Sequence, residues 1–352
     1  MKMKQVLKWG TALVAFAALA PASLGWGQSV GGAPYTSFLL RDFRPFSISR
    51  GSCATTFSDD ADAINYNPAI GVFLPKSSKA TLSFTHAFLP LNVFMDSLGI
   101  YFKPRTRHFY VNLTYFASDT RFYSPNRDWL GEINSQTFHL LVSTGNFFPK
   151  SQVLSWGLNI HGLSGRSWIF ERTMFAIDGG LTLDLPKQKM RFSAVIRNLG
   201  FDLNELFSLN PNFNTQYTNN ANVAFIPATP YNGKWPVNAA FGFQYQLFSL
   251  LQVFAELDFY FADLDSVKSG TAASILDGVW KPHVALSLIG IKSLKLNIGR
   301  VFRTSGGESY FTFGGEYNIT VNNLPPLTLS YAFEPIPGFT DNHYLGLMFR
   351  FQ

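Results

Sequence analysis

The residues of this chain that could do chemistry are few and far apart. Six histidines, His86, His108, His139, His161, His283 and His343, are scattered without the spacing that a shared metal ion requires. No Gly-x-Ser-x-Gly elbow presents a serine nucleophile on a strand-to-helix turn. Cys53 is the one cysteine, so no intramolecular disulfide can form. Arg50-Gly51-Ser52 before it is a poor lipidation signal, and Cys53 reads as a small residue of a packed segment. These residues predict no enzyme, no metal and no cofactor. What remains are polar groups with positional meaning. Asp59 and Asp60 precede an alanine-rich stretch, where a carboxylate can cap a short helix. In Asn67-Pro68-Ala69, an asparagine before proline favours an extended or turn conformation and ends any helix begun upstream. Arg191, Arg197 and Lys295 stand inside alternating segments. Two readings of the acidic pair follow: it shapes its own segment, or it latches that segment onto arginines such as Arg191 or Arg197.

The elements that must position these groups begin with an export signal. Lys2, Lys4 and Lys8 form a basic start, Thr11 to Ala20 is apolar, and small residues follow, so residues 1–27 read as a cleavable signal peptide. Cleavage is expected after Gly27, with Ala22 as the alternative. Aromatic residues make up 16% of the chain and charged residues only 14%, with mean hydropathy +0.07, whereas soluble domains carry about a quarter charged residues. Beyond the signal no apolar run reaches the ~20 residues of a spanning helix. The net charge is +6, of which three charges are the signal lysines. The remainder is too small and scattered to argue for nucleic acid.

From Lys79 onward, segments of about ten residues alternate apolar with polar and are separated by turn chemistry, the length a tilted strand needs to cross a bilayer. Ala80-Thr81-Leu82-Ser83-Phe84-Thr85 is one, Met190-Arg191-Phe192-Ser193-Ala194-Val195-Ile196-Arg197 another, and Leu294-Lys295-Leu296-Asn297-Ile298 a third. In the latter two the alternation turns Arg191, Arg197 and Lys295 toward the lumen. About fourteen such segments begin near residues 79, 95, 107, 135, 152, 173, 189, 236, 251, 282, 292, 309, 326 and 342. The fold class predicted is all-β, a transmembrane antiparallel β-barrel of about fourteen strands over residues 79–352. Short connections such as Pro104-Arg105-Thr106 and Pro149-Lys150-Ser151 alternate along most of the chain with long ones, 117–134, 162–172, 199–235 and 262–281, the short first outer loop near Pro90 being the exception, as in barrels with short periplasmic turns and long outer loops. The last segment, Tyr344 to Gln352, has its final aromatic at Phe351, near the terminal aromatic that the barrel-assembly machinery reads. That machinery and outer-membrane lipid are the expected partners, and the location expected is the outer membrane of a Gram-negative or other diderm bacterium.

Residues 28–78 precede the first strand and hold too many apolar groups, among them Phe43, Phe46, Phe57 and Phe73, for a solvated tail. A lumen of this size is too wide for strand side chains to fill, so the segment is expected to fold into it as a plug. Within it, Gly51 to Gly71 resembles the FadL-like family of outer-membrane long-chain fatty acid transporters. There a small-residue stretch leads to an acidic pair (here Asp59-Asp60), an aromatic (Tyr66) and Asn-Pro-Ala (Asn67-Pro68-Ala69) before the first strand. Ser52-Cys53 stands where relatives carry a glycine-rich run, and Ile70 separates Ala69 from the glycine. Ile177-Asp178-Gly179-Gly180-Leu181 and Arg197-Asn198-Leu199-Gly200 are similar to a spirochaetal branch of that family, which is related to PorV and PorQ barrels.

The resemblance implies passive uptake of long-chain fatty acid or another hydrophobic ligand: capture among outer loops, transfer to a lumen pocket, displacement of the plug, and exit through the wall. Loop aromatics Phe122 and Trp129, Trp168 and Phe170, and Phe207, Phe213 and Phe225 are the candidates for ligand contact. Arg191, Arg197 and Lys295 are candidates for a carboxylate headgroup or for the plug. The alternative function is a PorV-like barrel that holds secreted proteins at the outer surface.

Overall fold

A computed structural model describes residues 42–75, 79–89, 93–123, 129–167, 170–202, 237–260, 279–290, 293–302, 309–322, 324–335 and 341–351. Fourteen strands form among them. In order they are β1 (Ala80–Leu89), β2 (Val93–Phe102), β3 (His108–Tyr123), β4 (Trp129–Phe147), β5 (Leu154–Ser167), β6 (Phe170–Leu185) and β7 (Met190–Asp202). There follow β8 (Asn238–Gln246), β9 (Leu251–Tyr260), β10 (Val279–Ile289), β11 (Leu294–Val301), β12 (Tyr310–Ile319), β13 (Leu327–Glu334) and β14 (Asn342–Phe351). Each pairs antiparallel with its sequence neighbours, and β14 returns to β1, from Ala80 opposite Phe351 to Phe88 opposite His343. The closed barrel predicted from the alternation is the one formed, and closure leaves no edge strand exposed.

The two faces of each strand show which solvent surrounds the barrel. On β1, Phe84 and Phe88 point outward at 42% and 51% exposure, while Thr81, Ser83 and Thr85 point inward and are buried. Outward Leu98, Ile100, Leu140, Val142, Phe241, Leu286 and Leu347 continue the apolar belt around the wall. A water-soluble barrel would carry the opposite arrangement. Apolar side chains outside and hydroxyls inside make this a transmembrane barrel of the outer-membrane type.

Two expected outer loops are corrected. The β3–β4 ladder continues to Tyr123 opposite Trp129, and the β5–β6 ladder to Ser167 opposite Phe170. Most of 117–134 and 162–172 is therefore strand, and Phe122, Trp129 and Phe170 stand on strands rather than loops. Backbone pairing needs no particular side chain, so a hairpin can extend past the bilayer after the apolar alternation that marks a buried face has faded. Trp168, Phe207, Phe213 and Phe225 lie outside the described residues.

Residues 42–75 lie inside the barrel. The helical turn Pro45–Ile48 packs on β12, β13 and β14, the 3-10 turn Ala61–Asn65 on β1 and β2, and the 3-10 turn Pro68–Phe73 on β4, β5 and β6. A segment that touches strands from opposite sides of a closed wall is in its lumen. Phe46, Phe57, Ile64 and Ile70 of this segment pack with Tyr101, Tyr110, Leu141 and Phe254 of the wall. Phe46 and Phe57 stack at 5.3 Å. Two wall glycines let the backbones meet. A Cβ at Gly299 would lie 1.9 Å from Gly51 N, and one at Gly157 2.2 Å from the Pro68 carbonyl carbon.

The turns at the end where β1 begins and β14 finishes are short. Three of them carry a non-glycine residue in the left-handed region: Arg105 (φ 59°), Lys150 (φ 65°) and Lys189 (φ 56°). Glycine or asparagine would sit there with less strain, and each such residue costs about 1 kcal/mol or more.

Candidate functional site

The lumen segment is held by side chains from all round the wall. At the short-turn end, Lys103 Nζ donates to Val72 O at 2.5 Å and Leu74 O at 3.3 Å. Arg191 Nη1 donates to Thr56 O at 2.9 Å and Ser58 Oγ at 2.6 Å, while its Nε pairs with Asp184. Lys295 Nζ forms an ion pair with Asp59, and Arg350 Nη2 donates to Asp59 O at 3.0 Å.

Midway up the lumen the contacts become fully buried. Glu256 Oε2 accepts from Ala54 N at 2.8 Å, Thr55 N at 2.9 Å and Thr55 Oγ1 at 2.9 Å, and Oε1 meets Arg197 at 3.1 Å. Arg197 Nε in turn donates to Tyr66 O at 3.0 Å. Arg50 donates to Glu316 at 2.5 Å and to Ser287 Oγ at 2.9 Å, and lies 3.9 Å over the Phe57 ring. Arg44 pairs with Asp62 at 3.0 Å and reaches Ser97 and Asn112. Each buried charge thus meets an opposite charge plus further hydrogen bonds, the condition under which burial is tolerable.

The motif residues shape the segment itself. Asp60 accepts from Asp62 N at 2.8 Å and caps the turn Ala61–Asn65. Asn67 caps the next turn by accepting from Ala69 N at 2.9 Å. Its amide nitrogen donates to Thr55 O at 2.7 Å and Thr182 Oγ1 at 2.8 Å, tying segment and wall together. Pro68 occupies the first position of its turn, where a missing N–H costs nothing.

The latch expected between the acidic pair and Arg191 or Arg197 has other partners. Asp59 meets Lys295, Asp60 is used locally, Arg191 is engaged by Asp184 and Arg197 by Glu256. Alternation sets which face a side chain takes but not its height in the lumen, and Lys295 is the cation level with Asp59. Burial and then the neighbouring Asp62 push the Asp60 carboxyl up to about 7. Burial raises Asp42 to about 6. Burial acts on Asp59 too, but the Lys295 ammonium outweighs it and holds that carboxyl below its usual range.

Sequence reasoning passed over Arg44, Arg50, Asp62, Glu256 and Glu316. The available signal was a charge on the inward face of an apolar strand, as in Val253-Phe254-Ala255-Glu256-Leu257. It also passed over a polar chain through three adjacent strands. His139 Nε2 lies 2.8 Å from His161 Nδ1, and Asp178 accepts from His161 Nε2 at 2.6 Å, from Asn159 at 3.0 Å and from Asn198 N at 2.8 Å. Asn198 is at φ 60° where the β6–β7 register shifts, so the two similar stretches around Asp178 and Asn198 meet at one bulge.

Above this chain the lumen changes character. Phe43 and Ile48 of the segment pack with Ala87, Leu89, Met95, Leu163, Met174, Ala176, Ala332 and Tyr344 of the wall, with Val93 and Phe116 beside them. Leu163 follows His161 by one inward position on β5, and Met174 and Ala176 precede Asp178 on β6, so this apolar layer lies directly on the polar one. It faces the end with the long hairpins.

Comparison with solved structures gives the same barrel. The toluene transporter TodX of Pseudomonas putida aligns with a TM-score of 0.57 at 12% identity, covering 88% of this chain and 97% of that one. A Pseudomonas aeruginosa FadL homologue aligns with a TM-score of 0.55 at 11% identity, covering 89% and 99%. No protein-family model matches the sequence, and no curated protein does so significantly. The apolar belt, the fourteen-strand closure and this likeness identify the fold as that of the FadL-type outer-membrane barrels.

Proposed function

We propose that this barrel passes hydrophobic small molecules across the outer membrane, passively, and that long-chain fatty acids are the cargo class. The observation that carries the reading is the apolar layer of Phe43, Leu89, Met95, Leu163 and Met174 at the long-hairpin end of the lumen. A water-filled porin has a polar lumen, which repels an acyl chain. An acyl chain that takes the place of Phe43 in this buried layer exchanges water for methionine and leucine side chains, gaining about 0.8 kcal/mol per methylene. The segment below, with its polar locks, is the plug that keeps the barrel from conducting solutes freely. TodX, which has this fold, is a toluene transporter, and its aromatic cargo is as apolar as an acyl chain.

The test is lipid extraction and mass spectrometry of the folded barrel, followed by titration with fluorescent fatty acids of increasing length. Displaceable acyl chains are expected, with affinity rising about fourfold per methylene until the apolar layer is filled. An empty barrel whose weak binding ignores chain length would overturn the reading and leave the protein-holding role to be tested by pull-down of secreted partners.

A further inference from the structure

The short-turn mouth of the barrel is divided. On the β1–β7 side it carries six exposed cations: Lys79 before β1, Arg105 and Arg107 between β2 and β3, Lys150 between β4 and β5, and Lys187 and Lys189 between β6 and β7. Among the described residues none of the six forms an ion pair, and the acids nearest this mouth, Asp59 and Asp184, are engaged by inward-facing Lys295 and Arg191. On the other side, the β8–β9 and β12–β13 turns present apolar groups instead, with Phe248 and Leu324 each 63% exposed. These two inner turns carry no charged residue, so the charge is not shared by every inner turn.

Three further observations say what the basic side faces. The turns repeat a pattern, Pro104-Arg105, Pro149-Lys150 and Pro186-Lys187-Gln188-Lys189, in which a cation occupies the left-handed position that glycine fills without strain. Keeping a cation there three times over, against backbone preference, points to the charge as the reason. The cations also border the lipid-facing belt: Phe102, Phe109, Val153 and Phe192 are exposed immediately beside these turns. Arg107 is directed outward, with its guanidinium 5.8 Å from the ring of lipid-facing Phe109. In barrels of even strand number this mouth faces the periplasm.

We propose that the β2–β3, β4–β5 and β6–β7 turns form a cationic shelf that binds the phosphates of anionic phospholipids in the periplasmic leaflet. The exposed basic side chains stand beside the lipid-facing belt, Arg107 on its outer side, and cations near an anionic leaflet are attracted to it. The shelf would hold one wall of the barrel, β1 to β7, against the leaflet, while the apolar turns of β8–β9 and β12–β13 take no part.

The experiment is native mass spectrometry of the full barrel from micelles containing equal phosphatidylglycerol and phosphatidylethanolamine. The triple variant Arg105→Gly, Lys150→Gly, Lys189→Gly removes charge and relieves backbone strain together, so it should fold at least as well as the parent, which heat-modifiable gel mobility checks. The parent is expected to retain phosphatidylglycerol in excess. The triple variant should lose that preference, by about fivefold for each cation removed at low salt. The charge-keeping variant Arg105→Lys, Lys150→Arg, Lys189→Arg should retain it, and added salt should weaken it. A parent with no preference between the two lipids, or a folded triple variant with the parent's preference, overturns the proposal and points to an acidic soluble partner.

Discussion

The lower and upper halves of the lumen are built from the same strands yet packed by different physics. Below, Glu256 accepts from Ala54 N and Thr55 N, Arg197 donates to Tyr66 O, Lys295 pairs with the Asp59 carboxylate, and Thr182 accepts from the Asn67 side-chain amide. Above, Phe43 meets Leu89, Met95, Leu163 and Met174 with no such direction. Directional bonds fix one arrangement and are costly to leave half made. Apolar contacts tolerate exchange of one occupant for another of like surface. The lower half is therefore suited to holding its segment, and the upper half to accepting something that comes and goes.

The comparison breaks most severely at Glu256. Glu256→Ala leaves Ala54 N, Thr55 and Arg197 without their shared acceptor. Loss of one partner from a buried pair costs about 3–5 kcal/mol. Expected are faster amide exchange at residues 54–55 and raised single-channel conductance. A quiet channel with protected amides would show that this carboxylate does not seat the segment. In the upper half, Met174→Asn should do the reverse. It places an amide in the apolar layer at a cost of about 2 kcal/mol, weakening fatty-acid binding about thirtyfold while leaving conductance alone. Equal loss of both would show that the halves are not independent.

A smaller effect comes from pH. Asp42 and Asp60 are raised from 3.8 to about 6 and about 7 when seated. A raised carboxyl stabilises the seated state fully below its ordinary value, and that contribution is lost as pH rises through the seated one. The segment should be held more firmly at about pH 5 than at pH 8, read as slower exchange at residues 61–65 after correction for intrinsic rates. Asp59, lowered by Lys295, loses its contribution only in stronger acid. The smallest effect is expected from Asp59→Ala, because its side chain is 39% exposed and exposed pairs contribute ~1 kcal/mol or less. Conductance of this variant should match the parent. A large increase would restore the latch reading, with Lys295 as its partner.

Much of this was legible without coordinates. Period-2 alternation determined the number of strands, which face of each meets lipid, and the starts of most of them, because apolar residues must leave the polar side wherever a strand crosses a bilayer. Asp60 announced its cap, because such a bond closes within two residues, and Asn67 before Pro68 announced the extended break between the two turns. Tertiary structure decided what alternation leaves free. Partners across the lumen depend on height and on position around the wall, which stagger and closure set together. Hence Asp59 meets Lys295 rather than Arg191, residues 236 apart in sequence. The β3–β4 and β5–β6 ladders likewise outlast their apolar alternation, since a backbone pair forms whatever side chain it carries. His139, His161 and Asp178, which nothing in the sequence joins, form one chain only because β4, β5 and β6 are neighbours in register.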